Sequence, residues 1–143
     1  MRAMYRSQGV RVPREVELPP LPPDVALVPV PPETDAVVEP AFHLLRGQLA
    51  SSRTKTDRQV VQLVRGDAVL AVAVFTPRFP GAFPCRIADA RHAAALAAHL
   101  RALSPPEAPW VQLGVENDKA FCAELVRLGG YVHVEIMHMR GDL

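Results

Sequence analysis

The last third of the chain carries the pattern that most constrains the fold: an apolar strand, a polar turn, a short amphipathic helix and a second strand. Residues 111–115 have the character of a strand, and the helix predicted over 118–128 ends at Gly129-Gly130. Residues 131–139 are typical of a closing strand. Asn117 is the only asparagine in the protein, and its position between strand and helix suits either a helix cap or a ligand contact.

Length and charge exclude several classes of protein. A chain of 143 residues suits one compact domain with a hydrophobic core of its own. The net charge is +1, and acidic and basic residues are mixed along the sequence. The sequence therefore does not show the cluster of basic residues that nucleic-acid binding requires. No apolar run reaches the length of about 18 residues that a membrane span needs, and we expect a cytoplasmic protein without membrane contact.

The two cysteines, Cys85 and Cys122, predict neither a disulfide framework nor a zinc site, because four ligands at the usual spacing are missing. His133 and Glu135 share one face of the last predicted strand, while His138 lies on the other. That arrangement does not favour a metal, and we expect none.

Prolines divide the chain. Nine of the fifteen lie within the first 40 residues, with the densest run at Pro19-Pro20-Leu21-Pro22-Pro23, and proline lacks the donor that a central strand requires. We therefore expect residues 1–23 to form a Pro-rich N-terminal arm and residues 24–143 to form the single domain.

Within 24–143 the patterns predict the order β α β β β α β α β. An edge strand with Pro29 comes first, and a helix over 36–50 with a break near Pro40 follows. Segments 59–64 and 68–76 indicate a hairpin around Gly66. Residues 51–57 and 77–84 are predicted to be loops.

The remaining predicted elements are a short strand over 85–88 and an Ala-rich helix over 89–103 that Asp89 caps. This order predicts an α/β (α+β) fold with a mixed, mostly antiparallel sheet and helices on both faces. A ligand cleft then belongs at the carboxyl ends of the adjacent parallel strands, at residues 87–88 and 115–116.

The last third also carries motifs of a known family. Val115-Glu116-Asn117, Ala120 and Leu128-Gly129-Gly130-Tyr131, followed by the late methionines Met137 and Met139, resemble the GNAT superfamily of N-acetyltransferases. The motif match covers the last third, and the order of elements extends the resemblance to residues 24–140. This chain is a divergent example, because it has no glycine between Cys85 and Gly114, where the family has its pyrophosphate loop.

The resemblance implies transfer of an acetyl group from acetyl-CoA to the amine of a small molecule or a protein. It places Arg86, Ile87 and Ala88 beside the pantetheine arm, and Asn117 at a pantetheine amide. It places the backbone amides of Ala90, Arg91 and His92 at the pyrophosphate, where a helix N-terminus favours negative charge.

Candidates for the proton transfers are three. Glu116 beside Asn117 is the candidate base, although a carboxylate at a strand end is more often simply solvated. Cys122 is a candidate donor to the leaving thiolate, with inert packing as the alternative. Tyr131 is the third candidate, with a core position as its alternative. The tyrosine that commonly serves as the acid in the family has no match, since Leu125 or Val126 falls at its place.

A function of another class stays open on sequence grounds. A non-catalytic domain of the same fold would use an exposed sheet edge as a dimerisation or protein-interaction module, and a homodimer is possible. Binding of acetyl-CoA separates this function from the enzyme, because fold alone does not imply activity.

Overall fold

The computed structural model describes the backbone of residues 2–141 and the side chains of residues 6–137. The strands are β1 (Arg2–Pro13), β2 (Val25–Pro29), β3 (Gln59–Arg65), β4 (Ala68–Thr76), β5 (Gly81–Ile87), β6 (Trp110–Glu116) and β7 (Tyr131–Gly141). The α-helices are α1 (Asp35–Ala41), α2 (Gln48–Arg53), α3 (Ala93–Leu103) and α4 (Lys119–Arg127). Short 3-10 turns precede α1 and α3.

All seven strands form one sheet in the order β2-β3-β4-β5-β6-β1-β7. Five neighbouring pairs are antiparallel, and β5 and β6 alone are parallel. The prediction of a mixed, mostly antiparallel α/β fold is confirmed. In the described part of the chain no helix is long and apolar enough to cross a membrane.

Alternation of side chains along β3 and β4 builds a core on each face of the sheet, because successive residues of a strand point to opposite faces. Leu63 and Phe75 pack on the face that α3 and α4 cover, with Leu96, Leu100 and Leu125. On the other face Val60, Val72 and Val74 pack against Val38 of α1 and Leu49 of α2. Helices therefore lie on both faces, as the sequence predicted.

The prediction of an N-terminal arm over residues 1–23 is wrong for residues 2–13. Arg2–Pro13 is β1, which pairs with β6 on one side and with β7 on the other. Val10 and Val12 are fully buried in the main core. The first proline is Pro13, the last residue of β1, so no proline interrupts the strand before its end, and the proline-rich character begins only after it.

One predicted break is confirmed and two element boundaries differ from the predictions. The helix predicted over 36–50 is interrupted just after Pro40, where α1 ends at Ala41, and it resumes as α2 at Gln48. Ser51 to Arg53, expected in a loop, belongs to α2. Gly81 to Pro84, also expected in a loop, forms the first half of β5.

Other local predictions are confirmed. The hairpin of β3 and β4 turns at Gly66, whose φ of 58° lies in the left-handed region that glycine adopts without strain. The strand with Pro29 is an edge strand. Asp89 caps the turn before α3, and its carboxylate accepts a hydrogen bond from the Arg91 amide at 2.9 Å.

Two arginines hold the chain that leaves β1 against the end of α3. Arg101 of α3 donates from Nη1 to the carbonyl of Val16 at 2.6 Å and to that of Arg14 at 3.3 Å. Arg14 in turn donates to the carbonyls of Ala108 and Pro105 at 2.7 and 2.8 Å. Buried carbonyls need such donors, since an unpaired one is costly.

We predict that Arg101→Met lowers the free energy of unfolding by about 1–3 kcal/mol, because it leaves partly buried carbonyls without their charged donor. Urea unfolding followed by circular dichroism measures the change. Arg91→Met is the matched control, since the Arg91 side chain is 77% exposed, and its effect should stay within about 0.5 kcal/mol. Equal effects of the two variants would contradict the role assigned to Arg101.

Candidate active site

A cavity opens where the parallel strands β5 and β6 end. Their pairing runs from Gly81 and Gln112 to Cys85 and Val115, and beyond this point the two strands are no longer paired. The cavity has a volume of about 520 Å³. Its lining comes from the ends of both strands, from the start of α4 and from the chain after α1: Ala41, Phe42, His43, Cys85, Arg86, Ile87, Ala88, Glu116, Asn117, Asp118 and Phe121.

An ion pair joins the two strand ends across this cavity. Arg86 Nη2 lies 2.9 Å from Glu116 Oε1, and the two side chains are 24% and 12% exposed. Arg86 Nε is buried and has no hydrogen-bond acceptor among the residues that the structure describes. A buried donor without an acceptor is costly, so this nitrogen suits a ligand carbonyl.

Asn117 turns the chain from β6 into α4, and it does not cap the helix. Its φ is 49°, in the left-handed region that asparagine tolerates better than most residues. Its backbone N–H donates to the Arg6 carbonyl at 2.7 Å. The cap is Asp118, whose Oδ1 accepts from the Phe121 amide at 3.0 Å. The Asn117 side chain is exposed at the mouth of the cavity.

The three residues expected at a pyrophosphate do not line the cavity. Ala90, Arg91 and His92 form the turn before α3, where the Asp89 carboxylate already accepts from the Arg91 amide. A carboxylate at a helix entrance repels a second anion. Burial lowers the pKa of His92 below its usual value, and the neighbouring Arg91 and Arg65 lower it further. The protonated form of His92 is therefore disfavoured, which weakens its attraction for an anion at this turn.

The other two catalytic candidates also lie elsewhere. Cys122 is buried on α4 and lines a neighbouring cavity of about 400 Å³ with Arg6 and Met137. Burial raises the pKa of its thiol, and the Glu135 carboxylate raises it further. Tyr131 begins β7 and is paired with Arg11, which is paired with Gln112, so it lies toward the opposite end of β6 from Glu116.

His43 is a cavity residue that the sequence interpretation missed. It follows α1 with a φ of 57°, a conformation that non-glycine residues rarely adopt. The buried carboxylate of Glu39 fixes the loop that carries it, accepting from the amides of Gly47 and Leu49 at 3.0 and 2.9 Å. The sequence feature that could have pointed to His43 is Pro40. It ends the helix, so the residues that follow can face the strand ends.

Among the side chains of residues 6–137 no group of three or more from histidine, cysteine, aspartate and glutamate is close enough to hold a metal ion. The polar groups that line the cavity are the carboxylates of Glu116 and Asp118, the Arg86 guanidinium, the His43 imidazole, the Asn117 amide and the Cys85 thiol. The carboxylates can take up a proton, and the others can hold polar groups of a ligand.

Comparison with known proteins finds a protein of similar fold and gives no information on function. No protein-family model matches the chain, and no curated protein matches it. An X-ray structure of a Drosophila protein superposes with a TM-score of 0.67 at 14% identity, over 97% of this chain and 51% of the other. The chain thus spans about half the length of that protein, and at this identity the likeness shows a shared fold alone.

We predict that Cys85 makes stability fall at alkaline pH. Burial raises the pKa of its thiol from 9.0 to about 12, with Glu116 raising and Arg86 lowering it to a smaller extent. The folded state therefore keeps a proton that the unfolded chain loses above pH 9.0. The contribution of the Cys85 thiol to the free energy of unfolding is complete below that pH. It falls as the pH rises toward the pKa of the folded state, by about 1.4 kcal/mol per pH unit.

Urea unfolding at about pH 8 and about pH 10 measures this slope, with Cys85→Ala as the comparison because it removes the thiol and little else. The wild-type protein should lose more stability over this interval than the variant. Parallel losses would show that the Cys85 thiol is not the group responsible.

Proposed function

We propose that this chain is a GNAT-like acyltransferase that transfers an acetyl group from acetyl-CoA to an amine. The observation that carries the proposal is the cavity between the ends of β5 and β6. Five residues assigned to the site from the sequence line it together: Arg86, Ile87, Ala88, Glu116 and Asn117. The strands that hold them are the adjacent parallel pair at which a ligand cleft was expected.

The backbone of β5 suits an amide-containing ligand such as the pantetheine arm. The Ala88 amide donates to the Leu70 carbonyl of β4 at 2.9 Å. Because successive peptide groups of a strand point to opposite neighbours, the N–H and C=O of Ile87 point toward β6. The pairing with β6 ends before Ile87, at Cys85, so these groups face the cavity. Together with the unpaired Nε of Arg86, they offer donors and an acceptor to a ligand amide.

Acetyl-CoA supplies a thioester, whose C–S bond breaks as the amine nitrogen forms the new C–N bond. Glu116 takes the proton that the nitrogen loses. Arg86 holds the Glu116 carboxylate through Oε1, and among the described residues none donates to Oε2, which is the oxygen left for the proton. Since Cys122 and Tyr131 lie outside this cavity, the leaving thiolate takes its proton from water.

The entrance to α3 adds little to coenzyme binding. The Asp89 carboxylate occupies the Arg91 amide, and no glycine near this turn lets the backbone approach a phosphate closely. We therefore assign most of the binding free energy to the pantetheine arm, and expect weaker coenzyme binding than a glycine-rich loop would give.

We predict that Asn117→Asp weakens binding of acetyl-CoA roughly tenfold in calorimetric titration, while the melting temperature changes little. The variant loses an amide donor and adds a negative charge at the cavity mouth, yet aspartate tolerates the same left-handed backbone. Gln59→Glu is the matched control, because it adds one carboxylate at an exposed position outside the cavity. Equal effects of the two variants on acetyl-CoA affinity would show that Asn117 does not contact the coenzyme.

Absence of any heat or thermal shift with the wild-type protein at about 1 mM coenzyme would contradict the enzyme altogether. The second candidate function, a non-catalytic interaction module, would then be favoured. It is supported by β7, where every described side chain from Tyr131 to Met137 is exposed, including Val132, Val134 and Ile136. A dimer in sedimentation that does not bind coenzyme would support this function.

We predict that Glu116→Gln lowers kcat for acetyl transfer by roughly 100-fold, because the amide keeps an oxygen for Arg86 but does not accept the proton. The affinity for acetyl-CoA should stay within about twofold, since no binding role is assigned to the lost charge. Steady-state release of free thiol measures the rate. Glu107→Gln, at an exposed loop position, is the control. Full activity of Glu116→Gln would show that another group is the base.

A further inference from the structure

An apolar groove leads away from the cavity across the part of the sheet that no helix within residues 2–141 covers. Helices α1 and α2 cover β3 and β4 on this face, and the groove begins beyond them, over β5, β6, β1 and β7. Its volume is about 510 Å³. Its walls are the side chains of Phe79, Phe83, Val134 and Ile136, which are 40–57% exposed.

Glycines form the floor of this groove. A methyl group on Gly114 would collide with the ring of Phe83, and one on Gly9 would collide with Val134 and Gln112. The absence of side chains at both positions therefore lets the apolar walls approach the sheet closely. The floor and walls form a shallow, elongated apolar surface.

The groove is connected to the proposed catalytic residues. A smaller cavity of about 340 Å³ lies between the two and is lined by His43, Arg86, Glu116 and Asn117. All four also line the cavity at the strand ends, while Phe83 lines both the smaller cavity and the groove. The cavity, the smaller cavity and the groove therefore adjoin one another, and together they form a path from Glu116, past Phe83, to Val134 and Ile136.

The inner end of this path is polar and its outer part is apolar, which matches a ligand with one polar end and an apolar chain. The inner end carries the ion pair of Glu116 and Arg86, in which Arg86 is bonded to Oε1 and Glu116 Oε2 has no donor among the described residues. Of the described residues that line the groove itself, Arg58 alone is charged. Glu116 Oε2 can accept a hydrogen bond from an amine, and an apolar chain is matched by the groove.

We infer that the amine acceptor is a primary amine on an extended apolar chain. Its nitrogen lies at Glu116 and its chain lies along Phe83 toward Val134 and Ile136. This inference rests on the proposed function and names the substrate class of the same site. A short hydrophilic amine leaves the groove empty and gains nothing from it.

The test uses methylamine, butylamine and hexylamine as acceptors with acetyl-CoA. Each methylene that enters the groove should raise kcat/KM by roughly fourfold. A second readout needs no activity: Trp110 is the only tryptophan, and its ring contacts Phe79 at a centroid distance of 5.2 Å. Hexylamine should therefore change the tryptophan fluorescence at concentrations where methylamine does not.

Two neighbouring residues of β7 provide a matched pair of variants. Ile136 and Met137 are each 49% exposed, but Ile136 lines the groove and Met137 lines the cavity beside Cys122. Ile136→Gln should raise the KM for hexylamine roughly tenfold and leave that for methylamine unchanged. Met137→Gln should change neither. Both variants are surface substitutions on one strand, so a common folding defect would appear equally in both.

The outcomes separate this inference from the proposed function. If acetyl-CoA binds but rates do not rise with chain length, or if the two variants behave alike, the apolar acceptor is wrong and the acyltransferase stands. If acetyl-CoA does not bind, the acyltransferase is wrong and the acceptor assignment falls with it. A chain-length dependence that Ile136→Gln abolishes supports the inference.

Discussion

The short parallel contact between β5 and β6 is the constraint on which the rest of the structure depends. It joins an antiparallel half, β2 to β5, to a second half made of β6, β1 and β7. The pairing stops at Cys85 and Val115, because Arg86 and Ile87 continue beside β4 while the chain after Glu116 turns toward β1 and α4. The opening that results is a consequence of topology, since two halves paired along so few residues diverge where the pairing ends.

The ion pair of Arg86 and Glu116 gives this opening its chemical character. Both charges are largely buried, and burying a charge is costly unless it is paired. The pair therefore holds a carboxylate at the place where two strands separate, with the thiol of Cys85 beside it kept protonated by burial. A carboxylate with one oxygen fixed and a guanidinium with one unpaired nitrogen suit a site that binds an amide and moves a proton. This is the physical basis of the proposed acyl transfer.

Several parts of the site could be predicted from sequence because they depend on neighbouring residues. An apolar run, a polar turn and an amphipathic helix placed Glu116 and Asn117 at a strand end, and the cap at Asp89 followed from its position before an Ala-rich helix. The sequence left Asn117 as either the cap of α4 or a ligand contact, since asparagine caps well. The structure excludes the cap, because the backbone of Asn117 is left-handed and Asp118, which is extended as a cap residue requires, caps α4 instead.

The sequence by itself determined the fold class, the parallel pair and the residues at its carboxyl ends, since local periodicity and the order of elements decide these. Tertiary structure alone decided the place of β1, whose Val10 and Val12 are buried between two strands more than 90 positions away along the chain. It also decided the approach of His43 to Glu116 and the groove from Phe83 to Ile136. These contacts join residues distant in sequence, and the free energy that brings them together comes from burial in a shared core, which no local pattern records.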